Sequence, residues 1–226
     1  MGYYDNYAHE KMLVSVDCII FGFDEGKLKI LIGRRKYDPG HGEWSLYGGF
    51  VAAKESVNAA AKRVLQELTG LRNIYMKQVG AFGKVDRDPG ARVVSVAYYA
   101  LINVKDYDEK LRVEHGVEWV DVENIPAMYS DHHEMVKHAH KMMKDSLKTE
   151  PVGFRLLPVL FTLTQLQRLY EVVNGEELDK RNFRKRIKDM DFIEKTELID
   201  KTSSKRGASL YRFNSRIYDE EPNFKL

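Results

Sequence analysis

The fold is decided by one segment, Gly49-Phe-Val-Ala-Ala-Lys-Glu55, which after seven further residues continues as Arg63-Val-Leu-Gln-Glu-Leu-Thr-Gly70-Leu71. A helix is expected over residues 56–69. Gly70 follows the last helical residue and is a typical stop, because glycine adopts the left-handed conformation without strain. The segment therefore reads as a glycine-rich turn, a loop and an amphipathic helix.

The spacing of this segment resembles the Nudix box of diphosphate hydrolases, G-x5-E-x7-R-E-U-x-E-E-x-G-U, in which U is an aliphatic residue. Two positions depart from it, since Val64 and Leu68 stand where the family has glutamates. The matching residues are Gly49, Glu55, Arg63, Leu65, Glu67, Gly70 and Leu71. The resemblance implies a Nudix scaffold whose metal chemistry has been altered.

In active Nudix enzymes the helix presents carboxylates to Mg2+, a hard ion that prefers oxygen ligands. Positions 64, 67 and 68 lie at i, i+3 and i+4, so they share one helical face. Here that face offers only Glu67 between two aliphatic groups. We therefore expect no catalytic residue, no metal site and no cofactor, with Glu55, Arg63 and Glu67 as remnants of the box. The alternative is an active Nudix hydrolase of a nucleoside diphosphate derivative such as ADP-ribose, with carboxylates supplied by Glu114 or Glu118.

Composition sets broad limits. The chain has 226 residues, 43% hydrophobic and 31% charged, which suits one large or two smaller globular domains. Residues 151–226 carry 15 Lys and Arg against 12 Asp and Glu, whereas the remainder carries 21 against 22. The single cysteine, Cys18, lies in an apolar run and is expected to be a buried small hydrophobe. No apolar run or signal pattern suggests a membrane or export, which predicts a cytoplasmic protein.

The first domain is expected over residues 1–150. Asp24-Glu25-Gly26 separates two apolar runs and predicts a hairpin. Asp131 and Glu134 have the spacing of a capping box at the start of a second helix. The expected strands are 13–23, 27–33, 75–82, 93–104 and 117–122, and the expected helices are 56–69 and 131–148. Mixed strands with these helices are typical of the Nudix α/β/α sandwich.

The second domain is expected over residues 151–226. Thr162 and Gln165 have capping-box spacing for a helix that ends at Asn174-Gly175, and Asp179 can cap a second helix running to Met190. Two strands are expected at 192–200 and 208–214, joined by the polar loop 201–207. Helix, turn, helix and hairpin is the order of a winged helix-turn-helix. The fold class is therefore α+β, with a Nudix sandwich followed by a winged helix.

The second helix of this domain, residues 180–188, holds six basic residues and no acidic one. Phe183, Ile187 and Met190 form its apolar stripe, and the basic residues occupy the opposite side. One interpretation is a solvated charged face. The single sign of the charge and the position of a recognition helix favour DNA instead. The predicted DNA-binding residues are Lys180, Arg181, Asn182, Arg184, Lys185, Lys188, Lys201, Ser204, Lys205 and Arg206.

A degenerate Nudix domain followed by a winged helix resembles the Nudix-related transcriptional regulators, in particular their arabinose-responsive, sugar-sensing branch. The resemblance implies a ligand-responsive transcriptional regulator in which a small effector controls binding to operator DNA. One winged helix makes a modest DNA interface. A homodimer on double-stranded DNA with a palindromic operator is therefore expected.

The effector is expected in the ancestral cleft. Loss of two metal-binding carboxylates favours a neutral sugar such as a pentose over ADP-ribose. Arg34 and Arg35 could instead hold a phosphate of a nucleotide, but they are interpreted as surface charges. Residues 86–88 could also be a solvated turn, and the cluster of His132, His133, His138 and His140 is interpreted as a polar helix face. The predicted ligand-binding residues are Trp44, Tyr47, Glu67, Asp86, Arg87 and Asp88.

Overall fold

The structure is a computed structural model that describes residues 11–70, 72–106, 113–202, 207–220 and 224. Leu71 of the box and Ser204, Lys205 and Arg206 of the wing loop lie outside the described residues. The chain divides into two compact units. The first comprises Met1–Ile20, Ile30–Ala100 and Tyr107–Ala139, and the second comprises Phe21–Lys29, Leu101–Asp106 and His140–Leu226.

The predicted strands and helices recur with shifts of one or two residues at their ends. The strands are β1 (Leu13–Asp24), β2 (Lys27–Arg34), β3 (Trp44–Ser45), β4 (Tyr47–Phe50), β5 (Tyr75–Phe82), β6 (Val93–Asn103), β7 (Val117–Asp121), β8 (Phe161–Thr162), β9 (Ile193–Asp200) and β10 (Ala208–Phe213). The helices are α1 (Val57–Thr69), α2 (His132–Thr149), α3 (Leu163–Asn174), α4 (Lys180–Lys188) and α5 (Ser215–Glu220).

A sheet with the strand order β3-β2-β1-β6-β5 organises the first part of the chain, with β4 paired to β1 and β7 paired to β2. The β1–β2 turn has positive φ at Glu25 (50°) and Gly26 (72°), which confirms the predicted hairpin. Strand β4 was not predicted. Its Gly48 and Gly49 pair with Asp17 and Val16, so the glycine-rich turn of the box is an edge of the sheet rather than a free loop.

Helix α1 has the predicted ends. The Ser56 hydroxyl accepts from the Ala59 N–H at 3.2 Å, and Gly70 is left-handed with its N–H donating to the Gln66 carbonyl at 2.8 Å. Val64 and Leu68 are 1% and 0% exposed, so both belong to the core. Cys18 is also buried, as predicted, and burial raises the pKa of its thiol.

The second unit contains the winged helix. A capping box at α3 is confirmed, since the Gln165 N–H donates to the Thr162 hydroxyl at 3.1 Å and the Thr162 N–H donates to the Gln165 side chain at 2.8 Å. Asp179 caps α4 by accepting from the Asn182 N–H at 2.8 Å. Strands β8, β10 and β9 form a small sheet in that order. Its core is aromatic and contains Phe154, Phe161, Phe192, Phe213 and Phe224.

Candidate functional sites

A cavity of about 440 Å³ opens in the first unit. Its lining comes from β1, the end of β2 and the residues after it, β4, the loop before β6 and the start of α2. Tyr47, Arg87 and Asp88 line it, as predicted from the sequence. This cavity, called the cleft below, is lined by residues from two of the three segments expected to form the ligand site, the stretch 44–49 and the stretch 82–90, whereas no described residue of α1 lines it.

The three remaining residues of the predicted ligand set lie elsewhere. The Trp44 ring is covered by the Arg34 guanidinium, whose carbon lies 3.8 Å from the ring centroid. Glu67 is directed to Arg63, with 3.6 Å between Oε1 and Nη1. Asp86 is exposed on the turn before Arg87 and does not line the cavity. A role for these three in binding stays a prediction.

The remnant of the box is an ion-paired cluster beside α1. Arg63 donates to both oxygens of Glu55, at 2.7 and 3.2 Å, and these hydrogen bonds are the main reason that the pKa of Glu55 is lowered. Arg63 also donates to the Phe50 carbonyl at 3.1 Å. Within the described parts of the chain, no group of three or more His, Cys, Asp or Glu side chains is placed to hold a metal ion.

The three box positions at 64, 67 and 68 do not share one environment. Val64 and Leu68 are in the core, whereas the Glu67 side chain is 54% exposed and lies beside Arg63. A carboxylate at either buried position would have to be reached by cations or water to remain charged. The aliphatic replacements instead extend the core beneath the cleft.

The floor of the cleft is a buried network of charged and polar groups. Arg87 donates to both oxygens of Asp131, at 3.0 and 2.7 Å, and its Nη2 lies 3.8 Å from Asp17 Oδ2. The Ser95 hydroxyl donates to the same Asp17 oxygen at 2.5 Å. Burial alone would raise the pKa of Asp131, but the bonds and charge of Arg87 outweigh it and the pKa is lowered. Asp131 directly precedes α2, as predicted, and its carboxylate is bound to Arg87; its capping role stays a prediction.

His132 is the fifth member of this floor. It is 4% exposed, so the interpretation of His132 as part of a polar helix face is wrong. Its Nδ1 accepts from the Leu46 N–H at 3.1 Å, which leaves the proton on Nε2, 3.8 Å from Asp17 Oδ1. Burial is the main reason that the pKa of His132 is lowered. The sequence signal for this residue was present, since the helix begins there, but its partner Asp17 is 115 positions earlier.

The rim of the cleft is cationic. Arg34, Arg35 and Lys36 follow one another at the end of β2 and line the cavity. The Arg35 guanidinium lies over the Tyr129 ring, 3.9 Å from its centroid, and its Nε donates to the Pro39 carbonyl at 2.9 Å. In the part of the chain that the structure describes, none of the three cations has a carboxylate partner within 4.0 Å. The sequence-based interpretation of the two arginines as surface charges therefore misses their place in the cleft.

Gly48 is required by the floor. A Cβ at this position would lie 2.3 Å from Asp17 Oδ1 and 2.5 Å from the Val16 carbonyl oxygen, both closer than any real side chain allows. The glycine-rich turn of the box is therefore needed so that β4 can approach the Asp17 carboxylate.

The second candidate site is the outer face of α4. Phe183 and Ile187 are 4% and 1% exposed and Met190 is 5% exposed, which confirms the predicted apolar stripe. The opposite side is exposed, and among the described residues none of its cations forms an ion pair. Its residues are Lys180, Arg181, Asn182, Arg184, Lys185 and Lys188. Lys201, at the start of the wing loop, is also exposed.

None of the helices in the described ranges is long and apolar enough to span a membrane.

Two family models match the chain, one described as the NUDIX domain over residues 11–141 and one as the NrtR DNA-binding winged helix domain over residues 153–213. A protein of Acinetobacter baylyi named ADPR responsive transcriptional repressor NtrR is 36% identical over 220 residues, which make up 96% of this chain and 88% of that protein. This chain belongs to the Nudix-domain transcriptional regulators of the NrtR family. The predicted combination of a Nudix domain with a DNA-binding winged helix is confirmed.

Solved structures agree with this assignment. The chain is similar to Shewanella oneidensis NrtR complexed with a 27mer DNA, with a TM-score of 0.81 and 26% identity over 91% of this chain and 95% of that one. By sequence, the chain is also similar to an ADP-ribose pyrophosphatase of Methanocaldococcus jannaschii. The two are 33% identical over 137 residues, which make up 59% of this chain and 75% of that protein. These relatives do not support the finer assignment to the arabinose-responsive branch.

Proposed function

We propose that this regulator is a repressor whose binding to operator DNA responds to ADP-ribose held in the Nudix cleft. The observation that carries the choice of ligand is the cationic rim, Arg34, Arg35 and Lys36, which has no carboxylate partner among the described residues. A neutral pentose would leave these charges uncompensated, whereas the diphosphate of ADP-ribose provides anionic oxygens that a planar guanidinium group can bind in pairs.

The name of the Acinetobacter baylyi relative, which describes an ADPR-responsive transcriptional repressor, supports the same ligand. ADP-ribose therefore replaces the pentose favoured by the sequence. That choice rested on the missing metal-binding carboxylates and on the interpretation of Arg34 and Arg35 as surface charges. The exposed aromatic residues at the rim, Tyr37 (79%) and Phe50 (58%), offer surfaces on which an adenine can stack.

DNA binding would use the exposed face of α4. Its lysines and arginines supply contacts to phosphates, and an arginine or Asn182 can read a base edge in the major groove. A homodimer on a palindromic site remains part of the proposal, because a single winged helix buries too little surface for useful specificity. Linkage requires ADP-ribose and DNA to change each other's affinity by the same factor.

Calorimetry of the full chain with ADP-ribose, pentoses and hexoses tests the ligand. Fluorescence anisotropy with promoter DNA, with and without ADP-ribose, tests the response. We expect ADP-ribose to bind, the sugars not to bind, and the DNA titration to shift by the factor by which DNA shifts the ADP-ribose titration. Binding of a pentose without binding of ADP-ribose would overturn the choice of effector.

The same preparation tests the alternative function. Hydrolysis of ADP-ribose with Mg2+ that is abolished by Glu67→Gln, together with no salt-dependent DNA binding, would identify a hydrolase instead. The similarity to an ADP-ribose pyrophosphatase makes this assay necessary.

A further inference from the structure

The Nudix family implies a divalent cation between the box helix and the diphosphate, so we asked whether the residues of this chain fit one. Mg2+ requires several oxygen ligands at short distance, normally including carboxylates that are free to turn toward it. The two box carboxylates that remain, Glu55 and Glu67, both face Arg63, at 2.7 and 3.6 Å. Val64 and Leu68 contribute buried methyl groups. This helix therefore does not fit the ion.

In place of a metal ion, the cleft offers the positive charge of two arginine side chains. The Arg34 guanidinium is stacked on Trp44, and its Nη1 donates to the Gly42 carbonyl at 2.8 Å. Arg35 is stacked on Tyr129 and donates from Nε to the Pro39 carbonyl. An arginine has five N–H donors in one plane, so stacking and one hydrogen bond fix the plane and leave donors at its edge.

Both arginines are therefore oriented before any ligand arrives. The Tyr129 ring that supports Arg35 is itself fixed, because it is 6% exposed and Gly40 approaches it so closely that a Cβ there would lie 2.4 Å from the ring. Fixing a charged side chain in advance lowers the entropic cost of binding an anion.

We propose that Arg34 and Arg35 bind the diphosphate of the effector directly, in the role that a divalent cation has in catalytically active Nudix domains, so that the effector binds without metal. This inference rests on the proposed function and adds the mode of recognition. It implies that the two features have one function: the missing box glutamates and the stacked arginines together suit binding of a diphosphate without hydrolysis.

The test is calorimetric titration of the full wild-type chain with ADP-ribose, once with excess EDTA and once with MgCl2. The expected result is the same Kd in both. Binding that requires MgCl2 would overturn this inference and leave the proposed function standing. No binding in either condition would overturn both.

Variants test the two arginines. Arg35→Ala should weaken ADP-ribose binding by about tenfold to a hundredfold, because a charge-assisted hydrogen bond to the diphosphate is lost. Arg35→Lys keeps the charge but not the planar donor set, so it should recover only part of the affinity. Arg72→Ala, an exposed arginine of the same unit outside the cleft, is the matched control and should bind as the wild type does. Wild-type affinity in Arg35→Ala and in Arg34→Ala would contradict the assignment, and the EDTA titration tests it without any variant.

Discussion

The chain has two cationic regions, and they are built in opposite ways. In the Nudix cleft, Arg34 and Arg35 are stacked on aromatic rings and bonded to carbonyl groups, above a floor where Arg87 is paired with Asp131. On α4 the cations are exposed to solvent, without ion pairs in the described parts of the chain. Fixed cations in a cavity select the shape of a small anion. Exposed cations along one helical face suit a polyanion of uniform charge, at the cost of strong dependence on salt.

The largest expected difference between the two regions is their response to salt. DNA affinity should fall by about a thousandfold between about 50 and 200 mM salt, because neutralising roughly six phosphates releases their counterions. ADP-ribose affinity should fall by less than about tenfold, since its contacts are few and partly shielded from solvent. Anisotropy and calorimetry over the same salt series measure both. Equal slopes would mean that the two regions do not differ as described.

The second-largest difference between the two regions is expected when positive charge is removed from α4. Arg184→Ala with Lys185→Ala should weaken DNA binding by about a hundredfold and reduce the salt slope by about two, because two phosphate contacts are lost. Calorimetry should give unchanged ADP-ribose affinity. Lys137→Ala with Lys141→Ala, two exposed cations of α2, is the matched control. If the control lost as much DNA affinity, net charge rather than the face of α4 would be responsible.

The stability of the protein should be sensitive to a single methyl group added at Gly48, beside the floor of the cleft. Gly48→Ala places a Cβ against the Asp17 carboxylate and should lower the free energy of unfolding by about 1–3 kcal/mol, as overpacking in a core does. Thermal unfolding measures this change. Gly83→Ala is the control, because its Cβ would meet Val94 at an ordinary 3.6 Å. A Gly48 variant as stable as the Gly83 variant would show that the floor adapts.

The smallest effect expected is in the dependence of stability on pH. Burial lowers the pKa of His132 below its ordinary value of about 6.5. As the pH falls, the histidine is therefore protonated in the unfolded chain before it is protonated in the folded chain. Above about pH 6.5, His132 does not lower the free energy of unfolding. Below that pH the free energy of unfolding falls, with a slope from this residue of at most about 1.4 kcal/mol per pH unit.

His132→Asn keeps an acceptor for the Leu46 N–H and removes the titration. Its free energy of unfolding should fall less steeply than that of the wild type between about pH 6.5 and 5. Chemical denaturation at several pH values measures both slopes. Asp131 does not interfere, because its lowered pKa places the loss of its contribution below about pH 4. If the free energy of unfolding fell with the same slope in the wild type and in His132→Asn, His132 would not contribute to the loss of stability in acid.

Most secondary structure could be predicted because its causes are local. Helix α4 begins at Asp179 and buries Phe183 and Ile187, and each of these features depends on residues within one or two turns. The two-residue strand β8 could not be predicted in this way, since it is defined by its pairing with β10, far along the chain. Short pairings of this kind have no periodicity of their own.

The sequence by itself determined a degenerate box, a basic recognition helix and thus a regulator with a Nudix ancestry. These conclusions follow from residue types at fixed spacing, and helical spacing is a local property. Only the tertiary structure placed Asp17 beside His132 and brought Arg34 and Arg35 onto Trp44 and Tyr129 at the mouth of the cleft. The proposal of ADP-ribose rather than a pentose depends on that placement, because the balance of charge in a cavity is set by side chains from segments distant in the chain.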